Sequence, residues 1–251
     1  MEKIVKFGTL WTESAPVNPG ISTGDVAISI RDTIPGMELS WVKACGLLVS
    51  QTTIATDISW SWLRTLRLIF GRPIRIDGRP YLIRCLKLGN EAAAPNEWGN
   101  ILKATTRDDA LWHWKRAFFW GQEASKKQKY YRVMRGYASA NSWNEFSNIQ
   151  HAEYIGFRPV LEPLPAGPSI SDAMIGKTVK VYTPNGYVTG VLRDITCYDL
   201  VIDKWRCSKS PKIDSARWNT EGPDNTLFID RNAVVYFNTR EKIESYEWGM
   251  L

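Results

Sequence analysis

Two histidines, His113 and His151, and four cysteines, Cys45, Cys85, Cys197 and Cys207, are the residues of this 251-residue chain best suited to bind a metal or to act as nucleophiles. A structural zinc site takes four such ligands at close spacing. No Cys-x-x-Cys pair occurs here, and the histidines complete no zinc pattern. Glu153, Glu123 or Asp109 could join the histidines in a two-His, one-carboxylate iron site, but no spacing favours that set. His113 lies between two tryptophans and reads as a packed or hydrogen-bonded residue, and His151 reads as surface. No nucleophile elbow, phosphate loop or HExxH motif is present. Nothing fixes the separation of the carboxylate pairs, Asp108 with Asp109 and Glu145 with Glu153. The expectation is a non-enzymatic chain with no metal and no cofactor, its thiols free in a reducing cytoplasm.

Cations offer a second chemistry. From Arg64 to Lys87 stand Arg64, Arg67, Arg72, Arg75, Arg79, Arg84 and Lys87 against the single acid Asp77. From Lys115 to Arg135 stand Lys115, Arg116, Lys126, Lys127, Lys129, Arg132 and Arg135 against Glu123 alone. The whole chain carries a net charge of +6, so these blocks concentrate its basic character. On one face they would form a phosphate-binding surface. Trp60, Trp62, Trp120, Tyr130 and Tyr131 nearby suit stacking on unpaired bases. On opposite faces they would be ordinary solubility residues.

The chain is long enough for one or two domains with a substantial core. Its 12 tryptophans read first as core filling and second as a gripping surface. The N-terminus lacks the apolar stretch of a signal peptide, and no run of about 18 apolar residues predicts a membrane span. Pro163, Pro165, Gly167 and Pro168 mark a stiff connector over 162–171, which separates a domain at 1–164 from one at 171–251.

In the first domain, 40–50 reads as a helix or a buried strand, and 62–70 has apolar residues at helical spacing. Ile74–Ile76 and Tyr81–Leu86 read as a hairpin about Asp77-Gly78. Asp108 to Trp120 reads as a helix capped by Thr106 or Asp108 and leaving at Gly121 to Glu123. Asn96 to Asn100 reads as a turn cluster. In the second domain five short strands are expected: Thr178 to Tyr182, Tyr187 to Asp194 bent at Gly190, Tyr198 to Asp203, Leu227 to Asp230 and Ala233 to Phe237. The long connection Lys204 to Thr226 interleaves Trp205, Arg206, Lys209, Lys212, Arg217 and Trp218, a pattern suited to a binding loop.

One segment carries a resemblance. Residues 132–162 read RVMRGYASANSWNEFSNIQHAEYIGFRPVLE, an Arg-Gly turn running into a tryptophan and, thirteen residues after it, Gly-Phe-Arg. This order resembles the "RGGSW" and "GFR" blocks of the formylglycine-generating-enzyme-like, C-type-lectin-like fold. The resemblance implies an α+β, loop-rich domain in which Arg135, Gly136, Trp143, Gly156, Phe157 and Arg158 are structural and the arginines hold loops through carbonyls and carboxylates. Tyr137 and Ala138 depart from it, since the family has Gly and Ser there. The second domain resembles a small SH3-like or Sm-like β-barrel.

The copper-binding cysteine pair and the histidine cluster of the resembled enzymes are missing, which disfavours a metal-dependent oxidase. The main expectation is a binding protein similar to phage and mobile-element proteins, acting in a bacterial host's cytoplasm on a host protein or protein–nucleic-acid complex, for example as an inhibitor of a defence nuclease. The binding residues would be Arg64, Arg67, Arg72, Arg75, Arg79, Lys126, Lys127, Lys129 and the cations and tryptophans of 204–226. A virion or tail-associated receptor-binding protein is the sibling reading, and a nucleic-acid module with the barrel as reader is a third.

Overall fold

A computed structural model describes residues 4–13, 15–105, 108–164, 170–183, 186–207 and 219–239. The chain divides into two compact units, Met1–Pro163 and Leu164–Leu251. Among the described residues are twenty strands and two α-helices, so the architecture is β-rich, with helix a minor part of it. No helix among them is long and apolar enough to cross a membrane.

Two sheets build the first unit. One runs in the order Ala15–Val17, Ile4–Thr12, Glu38–Ala44, Leu47–Ser50, Pro159–Pro163, Arg79–Cys85, Arg72–Ile76, and Ile28–Arg31 also pairs with Ile4–Thr12. The unit's last strand therefore lies mid-sheet, between Leu47–Ser50 and Arg79–Cys85. The other sheet runs Ser139–Ser147, Tyr131–Gly136, Phe118–Ala124, Ile155–Phe157, Ala55–Thr56, Ile21–Ser22.

The expected Asp77-Gly78 hairpin forms, with both residues at positive φ as a tight two-residue turn demands. Segment 40–50 is neither one helix nor one strand. Cys45 and Gly46, at φ 52° and 77°, make a second turn of the same kind and split the segment into two paired strands. Cys-Gly lacks the turn signature that Asp-Gly carries, which is why the sequence hid it.

The tryptophans are chiefly core. Trp41, Trp60, Trp98, Trp112, Trp114 and Trp120 are buried. A buried indole keeps its apolar gain only if its N–H finds an acceptor. Trp41 Nε1 donates to Phe7 O, Trp98 Nε1 to Ala140 O and Trp112 Nε1 to Thr105 Oγ1. Trp98 meets Trp112 and Phe119 edge-on, at centroid distances of 5.0 and 5.2 Å.

The helix expected over Asp108 to Trp120 does not form. Asp108 spends its carboxylate on Ala110 N and its carbonyl on Leu111 N and Trp112 N, which closes one turn. Arg116 then takes φ 61°, and Phe118–Ala124 continues as a strand that contains Gly121 to Glu123. Thr106 lies outside the described residues. The second helix, α2 (Glu97–Ala104), starts where a turn cluster was expected: Asn96 Oδ1 accepts from Gly99 N at 2.8 Å and caps it.

The second unit is an antiparallel six-stranded sheet in the order Asn219–Glu221, Leu227–Asp230, Asp199–Cys207, Gly186–Ile195, Thr178–Thr183, Tyr236–Thr239. Three expected strands appear with shifted ends and Leu227–Asp230 appears as expected, while Arg231–Ala233 is a 3-10 turn, so the last strand starts at Tyr236. At Gly190 the register slips between Thr189 and Val191, and a Cβ there would lie 2.4 Å from Ile202 Cγ2. The glycine thus permits both the bulge and the close approach of the neighbouring strand.

Candidate nucleic-acid interface

Helix α1 (Trp60–Thr65) positions the first basic side chains. Ser59 caps it, its Oγ accepting from Trp62 N at 3.1 Å, and Asp25 accepts from both Ser59 N and Ser59 Oγ. Leu66 caps the C-terminus, and Arg67 follows at φ 61°, so the helical spacing over 62–70 yields only a short helix. Trp60 drops into the core and donates to Gly121 O at 2.9 Å, while Trp120 donates to Ile58 O at 2.8 Å. This exchange fixes α1 against the strand Phe118–Ala124.

Two cations from the two sequence blocks meet on Trp60. The Arg132 guanidinium stands 4.4 Å from the Trp60 ring centroid and that of Arg64 stands 5.8 Å from it. Arg132 Nη1 donates to Lys129 O and Tyr131 O at 3.0 and 2.8 Å. Among the described residues no carboxylate pairs with Arg64 or Arg132. Partial burial, then the positive charge of Arg64, pushes the Arg132 pKa down. Next to Arg132, Lys129 Nζ lies 5.8 Å over the ring of Tyr130, which is 65% exposed. Phe70, 49% exposed, meets Trp60 edge-on. The result is an excess of positive charge interleaved with exposed rings.

The remaining expected binding residues divide. Arg72 is half-buried and donates to Leu66 O at 3.4 Å, and burial followed by the charge of Arg67 lowers its pKa. Arg75 and Arg79 are exposed on the Asp77-Gly78 hairpin. Lys126 is paired with Glu91, and Lys127 is exposed. Arg84, counted in the basic block, is buried and pairs with Glu97 and Glu162 at 2.7 and 3.2 Å. Desolvation opposes its charge, but the two carboxylates outweigh it and the pKa rises. In the second unit Trp205 and Arg206 belong to the strand Asp199–Cys207, not to a loop. Trp205 packs against that unit's core, and Arg206 is exposed. Lys209, Lys212, Arg217 and Trp218 lie outside the described residues.

The motif residues sit inside the first unit. Arg135 is buried and donates to the carbonyls of Leu88, Asn141, Glu91 and Ala92. Arg158 is fully buried over the rings of Phe119 and Trp98, and burial pushes its pKa down to about 9. Gly136 takes φ 105°, and a Cβ there would lie 2.4 Å from Ala117 O. Gly156 leaves room for Ala55 O, Phe157 is core, and Trp143 is half-buried.

Metal and thiol chemistry find little to work with. Among the described residues no three His, Cys, Asp or Glu side chains are grouped to share an ion. Cys85 is buried and its thiol pKa is pushed up, which suppresses the thiolate. His113 is exposed, contrary to the packed role expected from its tryptophan neighbours, because Trp112 and Trp114 turn inward and leave it outside. His151 pairs with Asp57 at 2.7 Å. A cleft of about 480 Å³, lined by Cys45, Lys87, Asn96, Glu97 and Glu123 among others, was not legible in the sequence. Burial raises the Glu123 pKa, although its Oε2 accepts from Leu88 N. Also hidden was Lys180, half-enclosed by Tyr187 and Tyr182 at 3.8 and 5.1 Å.

The chain matches no protein-family model, no curated protein and no solved structure.

Proposed function

We propose that the protein is a non-enzymatic binding protein whose first unit grips a nucleic-acid strand, alone or within a host complex, on the surface around α1. The observation that carries this reading is the meeting of Arg64 and Arg132 on Trp60, with no carboxylate paired to either among the described residues. Unpaired like charges held together are costly for a fold and useful for a polyanion, since each phosphate bound releases counterions. Lys129, Tyr130 and Phe70 extend the same mixture of charge and rings.

The finer fold reading is proposed alongside it. The Arg135 hydrogen bonds to loop carbonyls support a formylglycine-generating-enzyme-like, C-type-lectin-like first unit. The bulged strand at Gly190 supports an SH3-like second unit.

The test is a titration of the whole protein into labelled single- and double-stranded DNA and RNA at several salt concentrations. Binding should weaken linearly in log–log form as salt rises. Arg64→Gln and Arg132→Gln should each lower that slope by about one. Lack of binding at low salt, or an unchanged slope in both variants, refutes the reading.

A further inference from the structure

Two non-glycine residues of the first unit share one strained knot, and each presents a functional side chain to solvent. Tyr137 takes φ 75° and Arg116 takes φ 61°, a region that bulky L residues rarely enter. The two are bonded to each other, Arg116 N donating to Tyr137 O at 3.0 Å. Tyr137 N in turn donates to Trp114 O and Ala117 O, both at 3.1 Å. The backbone is thus over-determined, which is how a fold keeps strain where function requires it. Gly136, just before it, also lies at positive φ, 105°, so two successive residues hold the left-handed region and only one of them is a glycine.

The strain supports an exposed ring. Tyr137 is 44% exposed and stacks on Phe118 with centroids 5.0 Å apart and planes 11° apart. Tyr154, also 44% exposed, meets Tyr137 edge-on at 5.7 Å. Buried Phe118 backs the pair from below. Lys115 bridges to Tyr137 through the backbone and, like Arg116, has an exposed side chain. Neither cation has a carboxylate partner among the described residues. A rigid aromatic platform flanked by two cations matches a planar, electron-rich ring that carries an anionic group nearby.

We infer that Tyr137 and Tyr154 form a stacking site for one unpaired base of a single-stranded nucleic acid, with Lys115 and Arg116 holding an adjacent phosphate. The inference rests on the nucleic-acid reading above and deepens it, because it assigns a base contact that the charge around Trp60 does not supply. A base stacked on the open face of an aromatic side chain contributes without regard to its identity. The site therefore prefers single strands over duplexes, whose bases are already stacked on each other.

The test compares labelled oligothymidylate with an abasic strand of equal length at several salt concentrations, using the full chain and two variants. Tyr137→Gly suits the left-handed backbone and should keep the fold, which a retained cooperative melting transition checks. Tyr154→Leu keeps apolar bulk. The wild type should bind the base-bearing strand about tenfold or more tighter than the abasic strand, and each variant should erase most of that preference while leaving the salt slope unchanged. Equal binding of the two strands by the wild type overturns the stacking site and leaves the polyanion reading standing. No binding of either strand overturns both. A preference that survives in both variants places the stacked base elsewhere and overturns the assignment to Tyr137 and Tyr154.

Discussion

Arg158 Nη2 donates to the carbonyl oxygen of His113 at 3.1 Å, while its Nε and Nη1 are buried without a hydrogen-bond partner among the described residues. Its charge is met instead by the faces of Phe119 and Trp98, with ring centroids 4.8 and 5.4 Å from the guanidinium carbon. Arg135 solves the same problem differently, by spreading its N–H groups over several carbonyls. Replacing a poorly compensated buried charge by an apolar side chain of similar volume is often neutral or stabilising. Arg158→Met should therefore leave the unfolding free energy within about 1 kcal/mol of the wild type or raise it. Arg135→Met strands buried carbonyls and should cost about 3 kcal/mol. Urea melts of the two variants check this, and equal losses would refute the contrast.

Gly156 and Gly20 should lose stability to very different extents on the same substitution. A Cβ on Gly156 would lie 2.0 Å from Ala55 O and 2.7 Å from Thr53 Cγ2, so strands would have to separate. Gly156→Ala should cost about 3 kcal/mol or more and lower the yield of folded protein. Gly20 has φ 89° but nothing within 4 Å, so Gly20→Ala meets only the backbone penalty, about 1 kcal/mol. Thermal melting of the two variants distinguishes them.

The pair of His151 and Asp57 gives the stability a pH dependence of known sign. The hydrogen bond to Asp57 raises the His151 pKa; desolvation opposes it, and the charges of Asp57 and then Asp25 add smaller help. A base with a raised folded pKa stabilises fully below its unfolded value, about 6.5, and loses that contribution as pH climbs through the folded value. The pair is half-exposed, so solvent screening keeps the effect small. The gap in melting temperature between the wild type and His151→Ala should narrow from about pH 5.5 to about pH 8.5 and should shrink in high salt at the lower pH. A gap independent of pH would show that packing, not the ion pair, explains it.

Local chemistry was legible in the sequence, and long-range chemistry was not. The Asp77-Gly78 hairpin and most strands of the second unit follow from turn residues and alternation over a few positions. The residues from Leu111 to Trp120 are apolar at spacings that fit a helix or a strand, and tertiary burial of Trp112 and Trp114 decided between them. The basic blocks presented fourteen cations of one class. The fold sorts them: Arg84 and Arg135 go inside, Lys126 finds a carboxylate, and Arg64 and Arg132 meet on one indole. The meeting of Arg64 with Arg132 is set by the docking of α1 on Phe118–Ala124 and the pairing of that strand with Tyr131–Gly136, and no spacing along the chain encodes it. The Tyr137 platform was half-visible as the place where the chain departs from the pattern it resembles.

The mid-sheet position of Pro159–Pro163 makes the first unit indivisible during synthesis. Until the ribosome has delivered that strand, Leu47–Ser50 and Arg79–Cys85 each present an unpaired backbone edge to the cell. Such edges recruit other chains. A product truncated before Pro159 would be an aggregating fragment and not a smaller folded unit, so Arg64 and Arg132 meet on Trp60 only in a chain that has been translated through the whole unit.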